Sequence, residues 1–204
     1  MSKHLKLSVF LLLTAIVCIA QPDSEDYAAG SAKQEILPKN FMNIAGGINA
    51  NFGMVGLGAE LGIHEKFSFE LGGGLSGWGL KGHGEIKYYL KEDYEGFAFG
   101  FGAGRSSGVT EFLFDMETEP DNEVETVELL LKPVTTINIS VTRAWRLGHS
   151  RKHRFYLQTG YVARTTEDIY SVKSDHLLSP GAVSTLKTVA PGGITLGLGF
   201  SVGL

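Results

Sequence analysis

The chain has 204 residues, a formal net charge of −4 at pH 7 and one cysteine. The acidic balance argues against nucleic acid as a partner, since proteins that bind phosphate backbones present basic surfaces. A single cysteine excludes an internal disulfide and a thiolate metal site. Glycine is the strongest compositional signal, with 27 residues that lie within alternating apolar runs, where an ordinary soluble strand avoids them.

Residues 1–20 have the features of a secretory signal peptide. Lys3 and Lys6 precede an apolar run from Leu7 to Ala20, which is shorter than the ~20 residues of a membrane helix, and small residues at its end suit cleavage. We expect export of the chain and a mature start at Gln21. Residues 21–40 are then a periplasmic tail, and no helix of the mature protein is expected to span a membrane.

Eight stretches of the remaining chain alternate in hydropathy with a period of two, as strands with one apolar face do. The other face carries mainly Gly, Ser, Thr and Asn, with a few charged residues. The predicted strands are Phe41 to Phe52, Val55 to Ile63, Phe67 to Leu75, Gly79 to Leu90, Phe97 to Gly104, Val134 to Arg146, Arg154 to Arg164 and Gly192 to Leu204.

The connections between these strands fall into two classes. Those at 64–66, 91–94 and 147–153 are short and polar, whereas those at 106–131 and 165–191 are long. Short turns at one end and long loops at the other are typical of an outer-membrane barrel, whose strands have about 9–11 residues. An even number of strands places both chain ends on the same, periplasmic side.

The two faces favour lipid over a packed core as the neighbour of the apolar residues. A soluble barrel turns a charged face to water. The face of glycines and small polar residues has too few charged side chains for that role. Inside an eight-stranded barrel, whose interior is just wide enough for side chains, the same face fits. We predict an all-β, eight-stranded, antiparallel, up-and-down transmembrane β-barrel over residues 41–204, with an aromatic girdle near the short turns at Phe67, Tyr88, Phe97, Trp145 and Phe155.

This pattern resembles the small eight-stranded outer-membrane barrels of Gram-negative bacteria, the OmpA/OmpX-type proteins. The most specific element is the terminal strand, where Phe200, Val202 and Leu204 continue the alternation to the chain end. The resemblance implies a monomer in the outer membrane, with lipid and the barrel-assembly machinery as partners. It also implies that this strand is the assembly signal, although the family usually ends in an aromatic residue and this chain ends in Leu204.

Charged and titratable residues of both signs fall on the expected lumen face. Opposite charges in a narrow interior should pair, because an unpaired buried charge costs several kcal/mol. We expect an ionic plug that closes the barrel, and the alternative is a small pore that opens when the pairs rearrange. The residues are Glu60, Glu70, Lys81, His83, Glu85, Lys87, Arg154 and Arg164.

His83 with Glu70 and Glu85 raises the possibility of acid–base or esterase chemistry, which needs a nucleophile or an oriented base within reach of substrate. No serine is obviously placed beside His83, and the expected position inside the barrel keeps these groups away from lipid. We therefore predict no enzyme, no catalytic residue, no cofactor and no metal centre.

Eight acidic residues and no basic one lie between Ser106 and Leu131, around a turn at Pro120. We expect the fifth and sixth strands to project past the membrane as an acidic hairpin. Such a surface could bind a divalent cation or an extracellular partner, and the simpler alternative is a solvated loop. The candidate residues are Asp115, Glu117, Glu119, Asp121 and Glu123.

A second hypothesis from another class is a secreted, soluble, lipocalin-like barrel. It would hold a small apolar ligand against Phe97, Phe99 and Phe101. The two hypotheses differ in which face of the strands is turned to water.

Overall fold

The computed structural model describes residues 37–119, 124–173 and 177–204, so the expected signal peptide and residues 21–36 of the expected tail lie outside the described residues. The strands and the helix are β1 (Phe41–Ile48), β2 (Val55–His64), β3 (Phe67–Ser76), β4 (Gly79–Tyr89), β5 (Gly96–Ser106), β6 (Val109–Glu119), β7 (Val124–Leu131), β8 (Val134–Leu147), β9 (His153–Arg164), β10 (Tyr170–Val172), β11 (Leu177–Leu178), α1 (Pro180–Val189) and β12 (Gly193–Gly203).

Eight of these strands close into one antiparallel barrel. Around its wall the order is β1, β2, β3, β4, β5, β8, β9 and β12, and β12 pairs with β1 to complete the ring. Each strand therefore lies beside its nearest barrel neighbour in the chain, as in an up-and-down meander. This confirms the predicted all-β fold and its strand number, and the strands after the first begin and end within two residues of the predicted positions.

The first strand ends earlier than predicted, at Ile48. Asn49 has a φ of 51°, a left-handed conformation that asparagine tolerates, and its side-chain amide donates to the Gly192 carbonyl at 2.7 Å. The chain then turns into the barrel, where a hydrogen bond of 2.9 Å from Gly53 N to the Ala50 carbonyl closes the turn. Phe52, predicted on the apolar outer face, is consequently buried in the interior.

The barrel wall is apolar outside and polar inside. On the outer face Leu57 is 60% exposed and Ile194 is 75% exposed, whereas Glu70 on the inner face is 0% exposed. Alternation along each strand places these side chains on opposite sides of the sheet. The wall thus has the reverse of the polarity of a water-soluble barrel, which buries its apolar face.

A second, smaller sheet lies at the long-loop end, in the order β10, β7, β6, β11. The acidic hairpin, predicted as a prolongation of barrel strands, belongs to this sheet instead. Gly108 has a φ of 76°, a conformation that glycine adopts without strain, and it separates β6 from β5. We call this sheet together with α1 the cap.

The cap has an apolar core of its own. Val127 and Leu129 of the hairpin, Leu186 of α1 and Trp78 of the β3–β4 turn are all buried in it. Trp78 also ties the cap to the barrel, because its indole Nε1–H donates to the Lys132 carbonyl at 2.9 Å. The cap is therefore a packed unit and not a pair of solvated loops.

The sequence interpretation missed α1. Ser179 caps the helix, its hydroxyl accepting from Ala182 N at 3.1 Å, and Pro180 takes the first turn. Ser followed by Pro is a helix-start signal, and Ala182 and Leu186 show the i, i+4 spacing of one buried helical face.

Among the described residues, no helix is both long and apolar enough to cross a membrane.

Candidate functional site

Three carboxylates lie side by side on the inner wall of the barrel. Glu60 on β2 is the register partner of Glu70 on β3, and Glu70 is the register partner of Glu85 on β4. Like charges directly opposite each other destabilise a sheet, and all three side chains are buried. This row therefore requires compensating cations and hydrogen-bond donors.

Lys87 lies among all three carboxylates. Its Nζ is 2.7 Å from Glu70 Oε2, 3.5 Å from Glu60 Oε2 and 4.0 Å from Glu85 Oε2. Its side chain is 2% exposed, so carboxylate oxygens take the place of water around this ammonium. Lys87 is the central cation of the lumen.

Arg154 supplies the second cation. Its guanidinium donates to Glu60 Oε2 at 2.8 Å and to the Tyr94 carbonyl at 3.1 Å. Its Cζ also lies 3.5 Å from the ring centroid of Phe41, within the distance of a cation–π interaction. Tyr89 completes the group, because its hydroxyl donates to Glu60 Oε1 at 2.7 Å.

Glu85 is satisfied mainly by neutral donors from β8 and β9. Its Oε1 accepts from Ser140 at 2.6 Å and from Asn138 at 2.9 Å, and its Oε2 accepts from Gln158 at 3.1 Å. Around the ring β8 and β9 are the second and third strands from β4, so these contacts pass over β5 on the inner face of the wall. The interior at this level is filled by hydrogen-bonded side chains.

His83 joins the network through Glu70. Its Nε2 lies 3.2 Å from Glu70 Oε1, and both side chains are enclosed. The ring of Phe52 packs edge-on against the imidazole, with 4.5 Å between centroids. Phe52 therefore covers the histidine from the loop end.

Two residues predicted for this network lie outside it. Arg164 is exposed at the loop end of β9, because the strand ends there and its side chain extends beyond the wall; it is not part of the ion-pair network. Lys81 is buried on the inner face, but its Nζ donates to the Ala50 carbonyl at 2.8 Å and not to a carboxylate. Both residues fall outside the network for the same reason. Alternation predicts which face of the wall a residue occupies, but not its position along the barrel axis.

The proposed girdle residues lie on the outer face near the short-turn end. Phe67 and Tyr88 are register partners with ring centroids 5.0 Å apart. Trp145 and Phe155 are also register partners, with stacked rings 5.8 Å apart. Phe97 lies at the start of β5 at the same end. The five residues come from strands β3, β4, β5, β8 and β9.

The terminal strand lies at the barrel seam. Phe200 on β12 pairs in register with Ile44 on β1 and with Phe155 on β9. The side chains of Phe200, Val202 and Leu204 are exposed on the outer wall. They extend the apolar surface around the ring to the chain end.

The acidic hairpin is described only in part. Asp121 and Glu123 lie outside the described residues, as do the side chains of Glu117 and Glu119. Asp115 is exposed and accepts from the Thr126 hydroxyl at 2.7 Å. In the part of the chain that the structure describes, no group of three or more His, Cys, Asp or Glu side chains is arranged to hold a metal ion.

Lys173 forms a charge contact in the cap, outside the barrel. Lys173 Nζ donates to Glu128 Oε1 at 2.7 Å, and this hydrogen bond raises the pKa of the lysine above its usual range. The contact joins β7 to the segment after β10. It holds the edge of the hairpin to the rest of the cap.

Phe99 and Phe101, assigned to a ligand cavity under the soluble-barrel hypothesis, point away from the interior. Both are exposed on the outer wall, while Gly100 between them faces Glu85 and Ser140. The lumen at this level is polar, which does not suit an apolar ligand.

Comparison with known proteins does not supply a family. No protein-family model matches the chain, and a search of curated proteins finds no significant match. The function therefore has to be argued from the apolar outer wall, the charged lumen and the cap.

Proposed function

We propose that this protein is a non-enzymatic integral β-barrel of a bacterial outer membrane, with a lumen closed by side chains and a cap presented at the surface. The polarity of the wall carries the proposal. Ile139 and Leu196 are 59% and 58% exposed on the outer face, whereas the ion pairs of Lys87 and Arg154 are enclosed. A closed barrel with this polarity satisfies its backbone and matches lipid on the outside.

The size of the apolar surface favours lipid over water. Exposed apolar side chains occur on each of the eight barrel strands, so the apolar surface continues around the wall. Soluble monomers rarely expose an apolar patch larger than about 300–600 Å². A bilayer removes the whole band from water, and no other environment suits a continuous apolar ring as well.

Strand length and the short-turn end support the same proposal. The barrel strands have between 8 and 14 residues, which brackets the ~9–11 that a tilted strand needs to span a bilayer. At the aromatic end the guanidinium of Arg143 lies 4.7 Å from the ring centroid of Phe97 and 5.5 Å from that of Trp145. A cation among aromatic rings suits the interface between hydrocarbon and headgroups.

The lumen network supports a structural role over conduction. Glu60, Lys87 and Glu85 connect side chains from several strands in the interior, and Phe52 packs over His83 on the side of the loop end. The wall then serves as a scaffold, and the cap is the part available to an extracellular partner. We therefore propose that any specificity for an extracellular partner resides in the cap.

Fluorescence of the two tryptophans tests membrane insertion directly. Trp145 lies on the outer wall, whereas Trp78 is buried in the cap core. We expect vesicles containing lipids brominated near the headgroup to quench Trp145 in a Trp78→Phe variant, and to quench Trp78 little in a Trp145→Phe variant. Recovery of folded protein from membranes with carbonate alone, or equal quenching of both residues, would contradict the proposal.

Planar-bilayer recording tests the closed lumen separately from insertion. We expect no steady single-channel conductance from the folded protein, because the interior is filled by bonded side chains. A steady conductance from inserted protein would agree with a membrane barrel but would contradict the closed lumen and indicate a small pore.

A further inference from the structure

A cavity of about 60 Å³ lies at the loop end of the barrel. Its walls come from the inward turn around Ala50, the β3–β4 turn with Trp78, and the end of α1 at Val189. Lys81 and Ser106 line it from the barrel wall. The ionic network in the middle of the lumen does not include either residue.

Lys81 is a buried cation whose ammonium has one hydrogen-bond partner among the described residues. Its residue is 6% exposed, and its Nζ donates to the Ala50 carbonyl at 2.8 Å. No carboxylate of the described residues lies within 4.0 Å of it, whereas Lys87 has three carboxylates at that distance or less. A lysine ammonium has three donors, and leaving a buried charge without a counter-ion costs several kcal/mol.

Ser106 provides a second donor at the same height. It is the register partner of Lys81 across β4 and β5, so both side chains point into the barrel. Ser106 is 1% exposed, and its Oγ has no hydrogen-bond partner among the described residues. An ammonium and a hydroxyl therefore line one cavity with donor capacity that the described residues do not use.

We propose that the cavity between Lys81 and Ser106 binds a small monovalent anion. The anion would accept hydrogen bonds from Lys81 Nζ and from Ser106 Oγ and would neutralise the buried charge. The buried Trp78 ring at the cavity wall strengthens the attraction, because charges interact more strongly away from water. Halide ions and small carboxylates can both accept these hydrogen bonds. Competition between them identifies which class of anion the site binds.

Trp78 reports on this site because it lines the same cavity. The chain contains two tryptophans, so a Trp145→Phe variant leaves Trp78 as the single fluorophore. Sodium bromide is titrated into the folded protein while sodium gluconate keeps the ionic strength constant. Since Trp78 is 2% exposed, we expect saturable quenching by bound bromide and little collisional quenching.

Matched variants identify the cation responsible. Adding Lys81→Met should weaken bromide binding at least about tenfold, since it removes a charged hydrogen-bond donor. Lys187→Met, which removes an exposed lysine of α1, should leave it unchanged. Ser106→Ala should weaken binding by a smaller factor, and it tests the site even if Lys81→Met does not fold.

Chloride and formate are then used to displace bromide. Displacement by chloride at concentrations similar to bromide assigns a halide site, and displacement by formate at much lower concentrations assigns a carboxylate site. Quenching that rises linearly with bromide, or that is the same after both Lys81→Met and Ser106→Ala, overturns the proposal. The measurement uses folded protein in detergent and does not depend on membrane insertion.

Discussion

Arg154 on β9 donates a hydrogen bond of 2.8 Å to Glu60 on β2, although β12 and β1 lie between the two strands. Because β1 and β12 are the first and last strands of the barrel, this ion pair spans the seam where the ring closes. It links the two sides of the seam from inside the lumen. Backbone hydrogen bonds of the wall close the same seam from the sheet itself.

Replacing one partner of this pair should strongly destabilise the barrel. Arg154→Met leaves the buried Glu60 carboxylate with Lys87 as its cation and with hydroxyl donors from Tyr89 and Ser68, and breaking a buried pair costs about 3–5 kcal/mol. Urea unfolding in lipid vesicles measures the loss. The double variant Arg154→Met with Glu60→Met should recover most of it, since a neutral pair needs no counter-ion.

The control for this prediction is Arg151→Met. Arg151 forms ion pairs with Asp93 and Glu95 at the surface, where such pairs contribute about 0–1 kcal/mol. Equal losses from Arg151→Met and Arg154→Met would show that the buried pair has no special role at the seam.

Glycines on the two faces of the wall should respond differently to a methyl group. A Cβ at Gly199 would collide with the ring of Tyr156 inside the lumen, whereas a Cβ at Gly82 meets nothing within 4 Å. Overpacking a filled interior costs about 1–3 kcal/mol. Gly199→Ala should therefore lower the free energy of unfolding.

Gly82→Ala, the control, should leave stability unchanged or raise it slightly, since alanine loses less backbone entropy on folding than glycine. Denaturant unfolding of both variants gives the comparison. If Gly199→Ala is as stable as Gly82→Ala, the lumen has room that the packing described above does not allow.

A charge on the outer wall should distinguish lipid from water as the environment. Ile139 on β8 and Leu113 on β6 are similarly exposed, at 59% and 67%, but only Ile139 belongs to the barrel wall. Ile139→Arg should cost about 2–4 kcal/mol in vesicles, as arginine does at the middle of a bilayer.

Leu113→Arg should change the unfolding free energy in vesicles by less than about 0.5 kcal/mol, as surface substitutions usually do. Similar tolerance of arginine at both positions would place Ile139 in water and count against the membrane barrel.

A substitution that destabilises the cap should leave the barrel folded. Leu186→Ala removes a buried side chain from the cap core, a change that costs about 2–5 kcal/mol. We expect faster protease cleavage in the β6–β7 hairpin, while heat-modifiable migration in detergent gels, which reports the barrel, is retained.

Thr185→Ala is the matched control on the exposed face of α1, and its cleavage rate should equal that of the unchanged protein. Loss of heat-modifiable migration in Leu186→Ala would show that cap and barrel unfold together.

Much of the barrel followed from sequence because alternation is a local property. Whether a side chain such as Leu57 or Glu70 faces outward or inward depends on its neighbours along one strand, and eight such strands in series close most simply as a meander. The same reasoning identified Glu60, Glu70, Glu85, Lys87 and Arg154 as inward-facing residues.

The tertiary structure decided which of these residues meet. Contacts across the lumen depend on the stagger of the strands, which alternation does not encode, so the exposure of Arg164 and the separation of Lys81 from the carboxylates could not be foreseen. Phe52 and Trp78 belong to turns, whose direction depends on dihedral angles such as that of Asn49. The sequence by itself thus determined the wall and its polarity, whereas the pairing of charges and the folding of the long loops into a cap required the closed barrel, because both depend on contacts between residues far apart in the chain.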